Sequence, residues 1–429
     1  MQPLYGHVNH TMVNPDSAPP SAMTSTSTRP PTPIPLARLV VILGMLAAFA
    51  PFATDMYLPA FQQMAGSFGV GAGGIESTLS VFFLGLALGQ AIHGPLIDRF
   101  GRRRPLLAGI AVYLVATVVC ATTSDLGVFT GARLLQAMGG CAGMIIGRVI
   151  VSDLFDPQEG ARVLSLLMMV MTLAPISAPV LGGLILTAAG WRMIFAFLFA
   201  FGLLCAVLLW RFLPETLPPE RRRPLSAARI AGAYGRLIRR PAFIVPALVG
   251  GLAQACMFAY ITGSPGVFIG LHHVSAQQYG WLFASVAAGL IVAAQGNRMG
   301  LKTCTPATLL GRALAVNVAG GLILLAVVAA GAGLAVLMVP LWFAIASLGF
   351  IVSNAAATAM AASGDERGSG SALVGVLQFG CASLVSSLVA ATQNGTAYPM
   401  AVAIVCAGLA ATLLWFGSRS LRARAVQPG

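Results

Sequence analysis

Gly94-Pro95-Leu96-Ile97-Asp98-Arg99-Phe100-Gly101-Arg102-Arg103-Arg104-Pro105-Leu106 sets four arginines and one aspartate between two apolar runs, 76–97 and 105–122. Each run is about the length a helix needs to cross roughly 30 Å of hydrocarbon. Gly101 permits a tight turn, Gly94 lets two helices approach closely, and Asp98 stands among cations at a membrane boundary. Charge pairs in such a turn can hold one face of a membrane protein closed and break when it opens.

Outward from this turn the pattern repeats. Further apolar runs lie near 36–60, 126–149, 163–186, 192–213, 242–268, 278–297, 304–330, 335–359, 370–392 and 397–418. They are continuous rather than alternating, which selects helices over barrel strands. The expected fold is an all-α polytopic membrane protein with twelve transmembrane helices in two six-helix bundles, 36–213 and 242–418. The linker between them, 214–241, is the longest polar interruption. Halves with an even number of spans lie parallel, as in transporters built from two such bundles. Asp98-Arg99-Phe100-Gly101 after span two and Asn297-Arg298-Met299-Gly300 after span eight fall in matching register.

Composition excludes the soluble classes. Of 429 residues, 57% are hydrophobic and 9% charged, against roughly 25% charged in a soluble domain. The net charge of +13 would suit a nucleic-acid partner if it formed a surface patch. It does not, because 23 of the 25 lysines and arginines fall in tails, loops or helix ends on one side of the membrane. That bias places both termini in the cytoplasm and leaves no nucleic-acid partner to expect. The seven cysteines form no C-x-x-C pair, so neither a zinc site nor a disulfide framework is expected. The histidine pair 272–273 needs no metal, and no cofactor is expected. Residues 1–35, with eight prolines and nine serines or threonines, are expected to be a disordered cytoplasmic tail. A short cytoplasmic tail at 419–429 ends the chain.

The few charges inside spans carry the functional reading. A carboxylate in a span is costly and marks a functional site by default. Asp55, in Phe52-Ala53-Thr54-Asp55-Met56-Tyr57-Leu58-Pro59-Ala60, lies roughly 9 Å from the expected outer end of span one, and Arg133 enters span four to roughly 10 Å. An Asp55–Arg133 interaction, direct or through substrate, is therefore allowed, and moving the arginine would load or release a proton on Asp55. Gln136 lies one turn from Arg133. Glu76, at the outer end of span two, reads as a solvated helix-start acid, with attraction of cationic substrates as the alternative. Tyr57, Gln254, Tyr260, Asn354 and Gln378 are further polar or aromatic candidates for a substrate cavity, as is Asn317. In span five, Ala174, Ala178 and Gly182 form a small-residue stripe. Pro175 and Pro179 permit a kink there, and Gly183 follows.

These stretches resemble known motifs. Residues 94–106 are similar to the G-x-L-x-D-R-x-G-R-R-x-x-L signature of the major facilitator superfamily, which makes Gly94, Asp98, Arg99, Gly101, Arg102 and Arg103 its gating motif. Arg133-Leu134-Leu135-Gln136-Ala137 resembles the family's R-x-x-Q-G motif, with Ala137 where glycine is usual. Ala174-Pro175-Ile176-Ser177-Ala178-Pro179-Val180-Leu181-Gly182-Gly183 resembles the antiporter motif G-x-x-x-G-P-x-x-G-G, with alanines at its first two glycines. Asp55-Met56-Tyr57-Leu58-Pro59-Ala60, the 80–90 stretch, Gly190-Trp191-Arg192-x-x-Phe195 and Leu377-Gln378-Phe379-Gly380 look like the bicyclomycin- and chloramphenicol-resistance branch of bacterial drug:proton antiporters. The resemblance implies export of phenicols or bicyclomycin in exchange for protons, by a single chain in the bacterial inner membrane.

Two other classes compete. A sugar or metabolite symporter or uniporter would use the same fold. A polytopic membrane enzyme would cluster catalytic carboxylates or histidines at one face, and none is clustered in the sequence. No Walker A sequence supports ATP coupling. The span-five stripe and the Asp55 stretch favour export.

Overall fold

Away from water, a spanning segment must bond its own backbone N–H and C=O groups. In the computed structural model, which describes residues 35–222 and 227–418, the apolar runs do so as helices, and no strand occurs among the described residues. The first six spans are formed by α1 (Leu36–Asp55) with α2 (Phe61–Phe68), α3 (Ala72–Phe100), α4 (Arg103–Thr122), α5 (Leu126–Leu154), α6 (Pro157–Ala189) and α7 (Trp191–Phe212). After α8 (Ala227–Ile238) come α9 (Pro241–Pro265), α10 (Ala276–Gly300), α11 (Pro306–Ala329), α12 (Leu334–Ala346) with α13 (Leu348–Ala361), α14 (Arg367–Ala391) and α15 (Tyr398–Gly417). Twelve of these stretches are long and apolar enough to cross a membrane, each overlapping an apolar run read from the sequence. The tails expected at 1–35 and 419–429 lie, apart from Pro35, outside the described residues.

Local signals fix the helix ends. Asp156 caps α6 by accepting the Gln158 and Glu159 N–H groups at 3.0 and 2.9 Å, with Pro157 at the first helical position. Ser275 and Gln278 bond each other's backbone at the start of α10, a complete capping box. Gly101 ends α3 at φ +86°, a conformation that residues with a Cβ rarely adopt.

Two features depart from the reading of the sequence. Span one does not end near Phe61: α1 stops at Asp55, a 3₁₀ turn follows over Leu58–Ala60, and α2 continues to Phe68. The linker also holds a helix, α8. Its Leu237 is buried against Phe243, Ala247, Ala359 and Leu373, its Ala233 is buried as well, and its Arg236 pairs with Glu366. Residues 233 and 237 are four apart, the spacing of one helical face.

The first and last six spans meet along two antiparallel seams, α3 against α14 and α6 against α10. In the first seam Ser383 Oγ donates to the Ser80 carbonyl at 2.9 Å, and beside it the Phe83 ring of α3 lies 4.0 Å from that of Phe258 on α9. In the second, Gly280 rests on Pro179 and Val180, and Gln277 donates to Thr187 at 3.3 Å. Among the described residues, the hydrogen bonds between the two sets of spans lie toward the face opposite the start of α1 and the end of α15.

Candidate functional site

Asp55 is the last residue of α1, where the helix breaks before the Leu58-Pro59-Ala60 turn. It is 4% exposed, and its Oδ1 is buried without a hydrogen-bond partner. The break is held from behind by Gly182, because a Cβ at that position would collide with the Met56 carbonyl. The small-residue stripe of α6 therefore packs against the bend that carries Asp55. The neighbouring Gly183 faces the Ala276 carbonyl of α10, where a Cβ would stand 2.7 Å away. Pro179 and its neighbour Val180 meet Gly280 on the same seam, while Pro175 lies one turn before them within α6. The motif thus touches both the Asp55 bend and the second set of spans.

Arg133 is fully buried in α5. Its guanidinium lies 4.3 Å from the Tyr57 ring centre and 4.2 Å from that of Phe82, with Phe195 at 5.9 Å. Nη2 donates to the Ala53 carbonyl at 2.9 Å, and Nη1 donates to Gln136 Oε1 at 2.5 Å. Gln136 passes the bond on to Thr117 Oγ1 at 2.7 Å, and Thr117 donates to the Tyr113 carbonyl at 2.6 Å. Arginine over aromatic faces gains a cation–π attraction that strengthens as water is removed. Arg133 and Asp55 form no ion pair: the arginine is anchored two residues before the aspartate, on the same bend. Ala137, where the motif has glycine, packs closely nonetheless, because its facing residue is Gly85.

Across the junction, Tyr260 and Tyr279 of the second set of spans lie within electrostatic reach of Asp55. Tyr260 is buried with its hydroxyl unpartnered, and its ring stacks on Phe283 at 5.4 Å. Tyr279, which the sequence reading passed over, donates to or accepts from Ser264 at 2.9 Å. The other candidates separate. Asn354 donates to Asn297 at 2.6 Å and to the Phe350 carbonyl, and Asn317 donates to the Ala344 carbonyl at 2.8 Å, so both amides are engaged between helices. Gln254 and Gln378 are half-buried on α9 and α14.

Glu76 is not the solvated acid the sequence pointed to. It lies in the second turn of α3, fully buried, because Gln393 from the turn after α14 and Gly266 after α9 cover it.

The basic turn is a separate cluster. Arg102 is buried and bonds Asp98 at 3.2 Å, Asp153 at 3.0 Å and the Ile97 carbonyl at 2.9 Å. Glu215, which the sequence did not single out, accepts the backbone N–H of both Arg102 and Arg103 and closes over Gly101. Arg103 also reaches the Trp210 carbonyl, and Arg99 lies over the Phe100 ring. These partners all belong to the first six spans and the segment just after them. Gly94 brings no helix close, since a Cβ there would meet nothing within 4 Å. The close approaches on α3 are at Gly85 and Gly89, which face α5.

No group of three or more metal-ligating side chains occurs among the described residues. The family model of the Major Facilitator Superfamily matches residues 43–387. The chain is 33% identical to the uncharacterized MFS-type transporter YdgK of Bacillus subtilis, over 88% of this chain and 94% of that protein. It is 30% identical to the bicyclomycin resistance protein homolog of Haemophilus influenzae, over 90% and 97%. Among solved structures, a D-xylose-proton symporter superposes with a TM-score of 0.70 at 16% identity, covering 89% of this chain and 97% of that one. Motifs, twelve spans and relatives agree: the chain is a membrane transporter of the major facilitator superfamily, similar to its bicyclomycin- and chloramphenicol-resistance branch.

Proposed function

We propose that this transporter exports amphipathic antibiotics, of the phenicol or bicyclomycin kind, in exchange for protons. It would do so as a single chain in the bacterial inner membrane, with both termini cytoplasmic. The observation that carries the reading is a buried carboxylate and a buried guanidinium anchored to one bend yet not paired with each other. A carboxylate left without a cation is free to exchange a proton, and a guanidinium keeps its charge throughout.

Alternating access then couples the two cargoes. Open to the cytoplasm, the site takes up drug against Tyr57, Tyr260 and the Arg133 amide network, and Asp55 gives up its proton to that side. Open to the outside, Asp55 takes a proton from the medium and the drug leaves. The bend at Met56, packed on Gly182, transmits the change, since Asp55 and the Arg133 anchor at Ala53 move with it. Arg102 and its carboxylates hold the cytoplasmic ends of the first six spans as one body while this happens. Export rather than uptake is supported by the α6 stripe and by relatives named for drug resistance.

Everted vesicles test this reading. A proton gradient acid inside the vesicles, running out of the lumen, should drive accumulation of chloramphenicol or bicyclomycin in them, and Asp55→Asn should abolish it. Uptake of a sugar or amino acid with no antibiotic transport would replace export with symport.

A further inference from the structure

Glu76 is a second buried carboxyl, and the cycle above makes no use of it. It sits where three elements from the two sets of spans meet: α3, the π-helical segment Gly266–Leu271 after α9, and the turn after α14. Its Oε1 accepts a hydrogen bond from Gln393 Nε2 at 2.8 Å, and its Oε2 is buried with no partner. The Gln393 amide is fixed in that sense, because its Oε1 accepts the backbone N–H groups of Asn394 and Gly395 at 3.0 and 3.2 Å. One turn on along α3, Ser80 Oγ is likewise buried and unpartnered.

No charge compensates the carboxyl. The titratable and charged groups on the elements around it are Tyr260 and Cys256 on α9 and Cys381 and Arg367 on α14, with His272 and His273 in the turn beyond the π segment; Arg367 opens α14 at the end remote from Gln393. On α3 itself the other titratable or charged groups are His93, Asp98 and Arg99 toward its far end, Arg133 of the packed α5 is engaged with Ala53, Gln136 and the Phe82 ring, and α2 carries no charged residue. The N-terminus of α3 offers a partial positive field, but that field fades within the first turn and Glu76 stands in the second. An ionised carboxylate in an enclosed apolar site needs a cation or several donors. Here it has one amide. Nor is there room for a larger cation beside that amide: a Cβ on Gly266 would already stand 2.7 Å from Gln393 Nε2 and 3.1 Å from Glu76 Oε1.

We propose that Glu76 is a second proton-binding site, occupied while the two sets of spans are closed on the face opposite the start of α1 and the end of α15, and emptied to that side when they part. Opening separates Gln393 from Glu76 and admits water, in which the carboxylate is solvated. Closing takes one proton back from the same side. The proton therefore never crosses the membrane, and the site sets how the closing equilibrium depends on external pH. Binding and closure are linked reciprocally: acid favours closure, and closure favours the bound proton. The inference rests on the proposed alternating access but not on proton exchange at Asp55.

Infrared difference spectroscopy on the purified full chain separates the two sites, because a protonated carboxyl has a C=O stretch apart from that of a carboxylate. At a pH where exposed carboxyls are ionised, the protein and Asp55→Asn should both retain a protonated-carboxyl band that Glu76→Gln lacks. In vesicles, Glu76→Gln should transport with the proton-to-drug ratio unchanged but with the dependence on external pH flattened. Gln393→Leu, which keeps the carboxyl and removes its donor, should shift that dependence rather than flatten it. An unaltered band in Glu76→Gln, or an unaltered external pH profile in a folded Glu76→Gln protein, overturns the proposal. Loss of transport in Asp55→Asn alone bears only on the export reading.

Discussion

Arg102 and Arg133 are both buried arginines in the first six spans, and their surroundings are opposite. Arg102 is closed in by Asp98, Asp153 and a carbonyl, all within 3.2 Å. Arg133 has no carboxylate at all: two aromatic faces, one amide and one carbonyl hold it, while Asp55 on the same bend is left with an unbonded oxygen. Paired charges fix a structure, since breaking a buried pair leaves an uncompensated charge. Charges kept near each other but unpaired can be satisfied by something that comes and goes. The first cluster therefore reads as a clasp and the second as a working site.

The sharpest way to break this contrast is at Asp55. Asp55→Asn should leave the fold intact, since no ion pair is lost, yet remove nearly all proton-coupled transport in vesicles. If it instead lowered thermal stability as much as a clasp variant, Asp55 would be a structural residue. Arg102→Ala should do the reverse. It takes a charged hydrogen-bond partner from the largely buried Asp153, at about 1–3 kcal/mol, so thermal unfolding in detergent should show a clear loss of stability. Gly182→Ala drives a Cβ into the Met56 carbonyl and should cost about 1–3 kcal/mol through overpacking, with transport slowed because the bend shifts. Gln136→Leu removes an acceptor from Arg133 and should cost about 1–3 kcal/mol, with weaker drug binding by equilibrium dialysis. Smallest is Ser275→Ala, which removes the α10 cap at about 1 kcal/mol and should leave transport nearly unchanged.

The contrast also marks where sequence reading works. Spans, caps and the basic turn are encoded locally, by runs of apolar residues, by Asp156-Pro157 and by Ser275-x-x-Gln278, so they are legible from one chain. Asp55 and Arg133 stand out because a charge inside a span is rare. What surrounds them is not local. Gln393 meets Glu76 across 317 positions, and Glu215 reaches Arg102 across 113. No spacing rule connects such residues, so Glu76 read as a solvated acid until its covering partners were seen. Gly94 failed for a related reason: a glycine shows that helices are able to approach, and only the neighbouring helix decides whether they do. The helix in the linker was legible in part, from the spacing of Ala233 and Leu237, but the polar composition around it concealed the signal.

Proton release on drug binding tests the central claim most directly. Purified protein in weakly buffered detergent solution, mixed with chloramphenicol or bicyclomycin, should release protons as measured with a pH-indicator dye. Asp55→Asn should bind the drug and release none. Drug binding without release in the unaltered protein, or equal release from Asp55→Asn, would contradict a proton exchanged at Asp55.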